Sequence, residues 1–382
     1  MNYSSNIKNK LKMSNNRSAR RLIVFGGLVL CALIIIFFAV KFWRFNNYKV
    51  EITDSQENTL VYSYYSIDDN VLKYASDAAS LTDSDNNTLW TITYEMAEPG
   101  VDICEDKIVI YEKNGSKIYI CDKKGKVNSF NSSMAIVKAE ISKQGNVAVL
   151  MDDGSSSQID YYDSDGSLIA TIKTTLTQEG YPMDIALSED GIVIAASFIR
   201  YEDGNPVSDV KFYNFGAAGQ AVTDNIVSKY RYSGTIIPEI EFMGSSNCVA
   251  FGNDKIIAYE GSKTFQEANA INAEDEIQST FVDDDFFGIV LPGNDNSGIE
   301  IVIYNKKGAE KKRIYSEYSY TSIKAKNGYI IMNNRNSICI YSGDGVCKFD
   351  GTIDGYIRSI SPITENKYAL VLTDGYNIIR LY

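Results

Sequence analysis

Residues 118–127 read IYICDKKGKV, a strand-like run that reaches a polar glycine turn and then resumes as a second strand. The same pattern returns as IVIYNKKGAEK at 301–311 and as ICIYSGDGVCKF at 338–349. A unit that recurs along a chain is the signature of a repeat architecture, in which each copy is one supersecondary element. The pattern therefore predicts a fold built from repeated β-hairpins.

Further copies of this hairpin occur on both sides of these segments. They are ASLTDSDNNTLW (79–90), IDYYDSDGSLI (159–169), VKFYNFGAAGQAV (210–222) and IIAYEGSKTF (256–265). Successive copies are separated by about 43 residues, the length expected of a four-stranded propeller blade. Because the rest of this region shows alternating strand patterns and no convincing helical stretch, the sequence predicts an all-β fold, a β-propeller.

The two ends of the repeat region predict how the ring closes. The last copy, GYNIIRLY (375–382), stops after its third strand, and an open edge of this kind invites aggregation. The segment YKVEI (48–52) precedes the first blade and has no partner there. We therefore predict that it supplies the missing outer strand, which gives eight blades. A ring of seven is the alternative if residues 54–76 do not begin a full blade.

The segment LIVFGGLVLCALIIIFFAV (22–40) is uncharged, mostly apolar and nineteen residues long, enough to cross a bilayer as a helix. It leaves through Lys41-Phe42-Trp43-Arg44 and lacks the small-residue exit of a cleaved signal peptide. We therefore expect a permanent single-pass anchor over 22–43 that contacts the lipid bilayer.

The charge distribution predicts the orientation of that anchor. Residues 1–21 contain six basic residues and no acid, so the positive-inside rule places them in the cytoplasm as a basic tail. Residues 48–382 would then form an extracytoplasmic propeller at the cell membrane. Because only four linker residues precede the closing strand, its bottom rim is expected near the lipid and its opposite loop face toward the cell wall.

The region after residue 49 is strongly acidic, with 28 basic against 49 acidic residues and a net charge of −21. Recognition of phosphate backbones requires clustered lysine and arginine, so nucleic acid is an unsuitable partner. An acidic surface of this kind favours a soluble, self-repelling domain.

Several kinds of catalytic site are excluded by composition. The chain has no histidine, which excludes Ser-His-Asp and Cys-His machinery and the usual zinc sites. Asp83 to Asn86 and Asp163 to Gly166 resemble the start of a calcium loop, but turn chemistry already accounts for them. We therefore expect no metal, no cofactor and no catalytic residues. Cys339 and Cys347 flank one predicted turn, and either a disulfide or two buried thiols is compatible with their spacing.

The longest interruptions of the repeat lie in neighbouring blades and define a candidate binding site. They are TTLTQEGYP (174–182), RYEDGNPVSD (200–209) and KYRYSGTIIP (229–238). Tyrosine and arginine often anchor interfaces because they bury large areas and keep a polar tip. The candidate binding residues are Tyr181, Arg200, Tyr201, Tyr230, Arg231 and Tyr232. The competing interpretation is that these tyrosines pack onto blade edges.

A family resemblance rests on four segments. They are VLKYASDAASLTDSDNNTLWTITYEM (71–96), GYPMDIALSEDGIVIAASF (180–198), VKFYNFGAAGQ (210–220) and IIPEIEF (236–242). Together they resemble a family of single-pass membrane propellers of unknown function from Gram-positive anaerobic bacteria, with WD40-like and quinoprotein-like repeats. The resemblance implies location and architecture and assigns no activity. The chain has only two tryptophans, so quinoprotein cofactor binding is not implied.

These observations favour a non-enzymatic binding or scaffold module at the cell surface, with an envelope protein or a wall glycan as its partner. The first alternative is a carbohydrate hydrolase or lyase that uses carboxylates at the central channel. The second is an extracellular sensor, which would need a separate intracellular partner. Two carboxylates converging within about 5 to 10 Å at the channel mouth would favour the hydrolase.

Overall fold

A computed structural model describes residues 21, 23–35, 38–39, 41–54, 62–67, 69–174, 180–293, 297–373 and 375–382. The chain divides into two compact units, Met1–Phe45 and Asn46–Tyr382. In the first unit, residues 23–35 are helical. None of the helices among these described residues combines the length and the apolar character that a membrane crossing requires. Most of the predicted tail at 1–21, and four positions of the predicted span at 22–40, lie outside the described residues.

The second unit is an all-β ring of eight four-stranded antiparallel sheets, which confirms the prediction of eight blades. The strands of each blade are named below in order from the central channel outward. Blade 1 comprises β2 (Ser63–Ile67), β3 (Asn70–Tyr74), β4 (Ala78–Thr82) and β5 (Thr88–Thr93), and blade 2 comprises β6 (Pro99–Cys104), β7 (Lys107–Glu112), β8 (Lys117–Asp122) and β9 (Val127–Asn131). Blade 3 comprises β10 (Ile136–Ile141), β11 (Val147–Asp152), β12 (Ser157–Tyr162) and β13 (Leu168–Thr174), and blade 4 comprises β14 (Tyr181–Leu187), β15 (Val193–Glu202), β16 (Asn205–Asn214) and β17 (Ile226–Ser233).

Blades 5 to 8 follow the same order. Blade 5 comprises β18 (Glu239–Met243), β19 (Asn247–Phe251), β20 (Lys255–Gly261) and β21 (Phe265–Asn272), and blade 6 comprises β22 (Ser279–Val282), β23 (Phe286–Pro292), β24 (Ile299–Asn305) and β25 (Glu310–Ser316). Blade 7 comprises β26 (Ser322–Lys326), β27 (Tyr329–Asn333), β28 (Ser337–Ser342) and β29 (Cys347–Thr352), and blade 8 comprises β30 (Ile357–Thr364), β31 (Lys367–Leu372), β32 (Tyr376–Leu381) and β1 (Tyr48–Asp54). Two short 3-10 helices, Gly219–Ala221 and Thr223–Asn225, precede β17.

The ring closes through the first strand of the chain, as predicted. Strand β1 pairs antiparallel with β32, and the register places Tyr48 opposite Leu381 and Ile52 opposite Ile378. Glu51 accepts hydrogen bonds from the Arg380 guanidinium at 2.6 and 3.2 Å, which adds a side-chain contact to the backbone ladder. Blade 8 therefore joins the two ends of the domain.

The apolar core consists of layers between neighbouring blades. Blades 2 and 3 share one such layer, which includes Val109 and Val149, and blades 4 and 5 share another, which includes Phe212 and Tyr259. Blades 2 to 6 each lie between two such layers, and their second and third strands are mostly buried, as expected for strands covered on both sides. Charged residues lie on the first and fourth strands and in the turns.

The strand directions define two faces of the ring. The first-to-second and third-to-fourth turns emerge on what we call the bottom face. The second-to-third turns and the connections between blades emerge on the top face. These definitions are used below.

The structure of blade 4 shows that the loops predicted at 200–209 and 229–238 are shorter than expected from the sequence. Most of 200–209 and the first half of 229–238 are strand, since β15 and β16 each have ten residues and turn through only Asp203 and Gly204. Both turn residues have positive φ, 49° and 82°, as a two-residue hairpin requires. Residues 229–233 belong to β17. The predicted loop at 174–182 lies partly outside the described residues.

All six cysteines are free thiols. Cys339 lies on β28 and Cys347 on the neighbouring β29, so the choice that the sequence left open is resolved in favour of thiols. The nearby Cys347 thiol, together with burial, raises the pKa of Cys339 above its usual range.

Removal of the closing strand should destabilise the domain. A chain that begins at residue 56 leaves β32 as an unpaired edge, whereas one that begins at residue 46 retains it. We expect a loss of several kcal/mol, which for a domain of this size lowers the thermal midpoint by roughly 10 °C, together with aggregation. Calorimetry of both chains measures this difference, and equal midpoints would show that β1 is dispensable.

Candidate functional site

The inner strands of the blades place polar side chains around the central channel. In β18, Ile240 is fully buried in the apolar core, and strand alternation therefore turns Glu239 and Glu241 the other way, toward the channel. The same alternation in β6 turns Asp102 toward the channel, because Val101 and Ile103 pack in the core. The channel is consequently lined by charged and hydroxyl groups.

A lysine-centred cluster lies in this channel across blades 3, 4 and 5. Lys138 Nζ is 2.9 Å from Glu140 Oε1, 2.8 Å from Asp184 Oδ1 and 3.6 Å from Glu241 Oε1. It also donates to the backbone carbonyl of Ile185 at 3.0 Å. The strand register shifts just before Lys138 in β10 and just before Asp184 in β14, and both shifts mark β-bulges. Bulges of this kind often change the direction of side chains near functional sites.

The protonation of this cluster is set by burial and by mutual repulsion. Burial raises the pKa of Glu241 to about 7 and that of Glu140 well above its usual range, although Lys138 opposes both shifts. Burial also raises the pKa of Asp102 and of Glu239. Burial alone would lower the pKa of Lys138, but the surrounding carboxylates raise it well above its usual range.

The separation between these carboxylates bears on the hydrolase alternative. Oxygens of Glu140, Asp184 and Glu241 all lie within 3.6 Å of one nitrogen. Any two of these oxygens are therefore no more than about 7 Å apart, which is at or below the separations of about 5 to 9.5 Å found in glycosidases. However, the three carboxylates point at Lys138, which occupies the space between them.

A cavity of about 690 Å³ opens where the inner strands end, at the bottom face. Its charged lining comprises Glu105, Glu189, Glu239, Glu241, Asp283, Asp284, Lys306 and Lys326. Most of these residues lie in or next to first-to-second turns, so the cavity is the bottom mouth of the channel. Asp283 accepts a hydrogen bond from the Gly328 backbone N–H at 2.7 Å, which ties the turns of blades 6 and 7 together.

The six predicted binding residues all gather at the top of blade 4. Tyr181 begins β14, Arg200 and Tyr201 end β15, and the other three lie near the end of β17. Arg200 bonds both Glu202 and the fully buried Asp209, and Arg231 bonds Glu202 as well. The structure therefore joins both predicted arginines in one ion-pair network.

The four tyrosines differ in their surroundings. Tyr201 is 66% exposed, and Tyr181 is partly exposed, with its hydroxyl bonded to Asp152 of blade 3. Tyr230 and Tyr232 instead pack against the apolar layer shared with blade 5. The Tyr232 hydroxyl lies 2.7 Å from that of Tyr259 and also bonds Glu267. The packing interpretation is therefore correct for Tyr230 and Tyr232.

The Asp-rich segments that resemble calcium loops form turns. Asp83 Oδ1 accepts the backbone N–H of Asp85 at 2.9 Å, and Asp163 Oδ1 accepts that of Asp165 at 3.0 Å. Across the part of the chain that the structure describes, no group of three or more carboxylate or thiol side chains is arranged to hold a metal ion.

Sequence reasoning missed the channel residues because their signal is spread across the chain. Lys138 and Glu241 are 103 positions apart, and each occurs in a short strand with no motif around it. The signal available was a charged residue at alternate positions of a first strand, as in VKAEI (137–141) and EIEF (239–242). Strands of a soluble β-sheet show the same alternation when one face contacts solvent, so the pattern does not distinguish a channel wall.

The closed ring of eight blades around a charged channel defines an eight-bladed β-propeller. The chain belongs to DUF5711, a family of unknown function, whose sequence profile matches residues 41–381. This agrees with the family of unknown function inferred from the sequence. No curated protein matches the chain significantly.

Two solved structures illustrate the fold. BamB from Moraxella catarrhalis is 13% identical, with a TM-score of 0.54 over 88% of this chain and 100% of that one. Sqt1 from Chaetomium thermophilum is 10% identical, with a TM-score of 0.58 over 88% of this chain and 100% of that one. At this level of identity, the similarity shows the fold alone.

Replacement of Lys138 tests the cluster. Lys138→Met leaves the buried Asp184 and the partly buried Glu140 and Glu241 facing one another, and loss of one partner of a buried pair costs about 3–5 kcal/mol. Because the pKa of Glu241 is raised in the folded state, protonation of Glu241 stabilises the fold. This contribution to stability is complete below about pH 4.5 and is lost as the pH rises through about 7. The destabilisation should therefore be larger at pH 8 than at pH 5.

Urea unfolding of Lys138→Met at these two pH values measures the effect. Lys143→Met is the matched control in the same blade, because its pair with Glu189, at 3.2 Å, is solvent-exposed and worth about 1 kcal/mol or less. A pH-independent loss, or a loss no larger than the control, would contradict the interpretation.

The two classes of tyrosine should separate in stability measurements. Tyr232→Ala removes packing against the blade 5 layer and two hydroxyl contacts, so we expect a loss of about 3 kcal/mol. Tyr201→Ala removes an exposed side chain and should change the free energy of unfolding by no more than about 0.5 kcal/mol. Equal losses in chemical denaturation would show that Tyr201 is also a packing residue.

Proposed function

We propose that this propeller is a non-enzymatic binding or scaffold module at the cell surface, with an envelope protein or a wall glycan as its partner. The observation that carries the proposal is the hairpin of β15 and β16, which we call the blade 4 arm (Val193–Asn214). Each of its strands is three residues longer than the longest second or third strand described in any other blade. At about 3.4 Å per residue, the arm extends about 10 Å further at the top face.

The arm is built as a rigid element. Arg200 bonds Glu202 and Asp209, Arg231 bonds Glu202, and Lys229 lies 3.4 Å from Asp209. These contacts connect all three strands that form the upper part of the blade. A preorganised surface loses less conformational entropy on binding, so rigidity favours recognition over a purely structural extension.

The arm presents an aromatic anchor at its end. Tyr201 is 66% exposed, next to the two-residue turn, and is flanked by the charged Arg200 and Glu202. Aromatic side chains surrounded by polar groups are the residues that most often dominate binding energy. Tyrosine suits both proposed partners, since its ring stacks on sugars and apolar side chains and its hydroxyl forms hydrogen bonds.

A carboxylate-dependent carbohydrate hydrolase or lyase is the second candidate. The spacing of Glu140, Asp184 and Glu241 around the channel supports it. The placement of Lys138 at their centre argues against it, because a substrate ring would have to displace a buried ammonium group. Release of reducing sugar from wall polysaccharide by the purified protein, abolished by Glu140→Gln, would establish this candidate over the first.

The cell-surface location rests on sequence. The uncharged run 22–40, preceded by a basic tail, supports an anchor with the N-terminus in the cytoplasm and the propeller outside. The four-residue linker to β1 supports a top face directed toward the wall. Protease digestion of intact cells tests this part separately, since a cytoplasmic propeller would be protected.

Loss of the aromatic anchor should weaken partner capture. We expect Tyr201→Ala to weaken capture of crosslinked envelope partners by about thirtyfold, because truncation of such an anchor costs about 2 kcal/mol or more. The control is Tyr356→Ala, which removes a tyrosine of similar exposure, 58%, from the connection between blades 7 and 8 on the same face. Equal recovery with both variants would remove the arm from the binding surface.

A further inference from the structure

Two thiols lie side by side in blade 7, on the side of the sheet that faces blade 6. Cys339 is 1% exposed and belongs to the apolar layer between these two blades. Cys347 is the first residue of β29, directly after the turn of residues 343–346, and it is partly exposed. A buried thiol therefore lies next to one that solvent can reach.

The strand register brings these two side chains onto one face of the sheet. Cys347 is paired with Tyr341, which is two positions after Cys339 and therefore points to the same side. The register shifts between Ile340 and Tyr341, which marks a β-bulge whose extra residue is Lys348. A hydrogen bond joins the Cys339 and Cys347 thiols. Their sulfur atoms are thus already in contact, so a bond between them requires no large movement of the strands.

The surroundings of the two thiols determine which one reacts first. The thiolate is the nucleophile in thiol–disulfide exchange, and an incoming disulfide must also be able to reach it. The hydrogen bond with Cys347, together with burial, raises the pKa of Cys339 above its usual range. Cys339 is therefore protected both by its pKa and by the apolar layer, whereas Cys347 is accessible. The first reaction is expected at Cys347.

Reaction at Cys347 makes Cys339 the next nucleophile. Once Cys347 Sγ is part of a mixed disulfide, the sulfur atom beside Cys339 is an electrophile. A hydrogen bond with the Tyr341 hydroxyl favours the Cys339 thiolate by lowering the pKa of Cys339. Groups held in contact react at a high effective concentration, so attack by Cys339 should be faster than attack by a second molecule of thiol.

We propose that Cys347 is a site of modification by a small-molecule disulfide and that Cys339 then converts the product to an internal disulfide. In the first step, Cys347 Sγ bonds to one sulfur of the reagent, and the other half leaves as a thiol with the Cys347 proton. In the second step, Cys339 Sγ bonds to Cys347 Sγ, and the remaining half leaves as a thiol with the Cys339 proton. Two protein thiols are oxidised to one disulfide, and the reagent is reduced to two thiols.

The internal disulfide would tie the third and fourth strands of blade 7 together beside their turn on the bottom face. A cross-link restricts the unfolded chain, so the oxidised domain should be more stable than the reduced domain, by a modest amount because the loop is short. Oxidising surroundings outside a cell favour this state, and a reducing cytosol opposes it. The chemistry does not depend on the function proposed for the blade 4 arm.

Peptide mapping of the full chain under non-reducing conditions tests the proposal. The folded protein is incubated with bis(2-hydroxyethyl) disulfide, the remaining thiols are blocked, and the products are identified by mass spectrometry. We expect the internal disulfide of Cys339 and Cys347 to exceed the mixed disulfide on Cys347 by about tenfold or more. The oxidised protein should also unfold a few degrees above the reduced protein, and a reducing agent should reverse both changes.

Two substitutions separate the steps. Cys339→Ser should trap the mixed disulfide on Cys347, whereas Cys347→Ser should leave Cys339 reduced. Cys104 and Cys121 of blade 2 are the matched control, because they too are one partly exposed and one buried thiol. They pack in layers on opposite faces of their sheet, so they should form no internal disulfide. Cys339→Ala replaces Cys339→Ser if the latter does not fold.

Three outcomes would overturn the proposal. They are a stable mixed disulfide on Cys347 in the unsubstituted chain, no modification of Cys347, and an internal disulfide of Cys104 and Cys121 formed to the same extent. An internal disulfide confined to Cys339 and Cys347, lost in both substituted chains, would support it. All of these results are independent of whether Tyr201 captures a partner.

Discussion

Antiparallel pairing of β1 with β32 is the constraint on which the rest of the domain depends. Without it, blade 8 would end in an exposed third strand, and the array of blades would have two free ends. With it, every blade has two neighbours and both faces of every sheet can be covered by an apolar layer. The pairing also links residues more than 320 positions apart, such as Glu51 and Arg380, so the domain folds as one closed unit.

Closure has an electrostatic consequence at the centre of the ring. The first strands of all blades converge on one axis, and their inward side chains share a narrow, partly buried space. Lys138 lies among three carboxylates there, while Lys324 donates a hydrogen bond to the neutral Ser361 hydroxyl. Buried charges of this kind cost stability unless they are paired, so their presence in an inner wall favours a functional role over a structural one.

The two faces of the ring offer different recognition chemistry. The top face has a rigid arm with an exposed aromatic end, which suits a macromolecular surface. The bottom face has an open cavity of about 690 Å³ with a charged lining. A closed propeller allows this separation because top and bottom turns belong to the same strands but point in opposite directions, so one face can change without disturbing the other.

The sequence by itself determined the fold class and the closing strand and favoured eight blades over seven, because the hairpin repeat and the unpaired ends are properties of short segments. It also determined that Tyr201 and Arg200 lie on the top of blade 4. It did not reveal that residues 200–209 are mostly strand, because a polar stretch that contains Gly204 and Pro206 also fits a long loop. Only the tertiary structure brought Lys138, Asp184 and Glu241 together, and only packing distinguished Tyr232 from Tyr201. The physical reason is that local hydrogen bonding and side-chain alternation act over a few residues, whereas the contents of a channel are decided by strands that meet only when the ring closes.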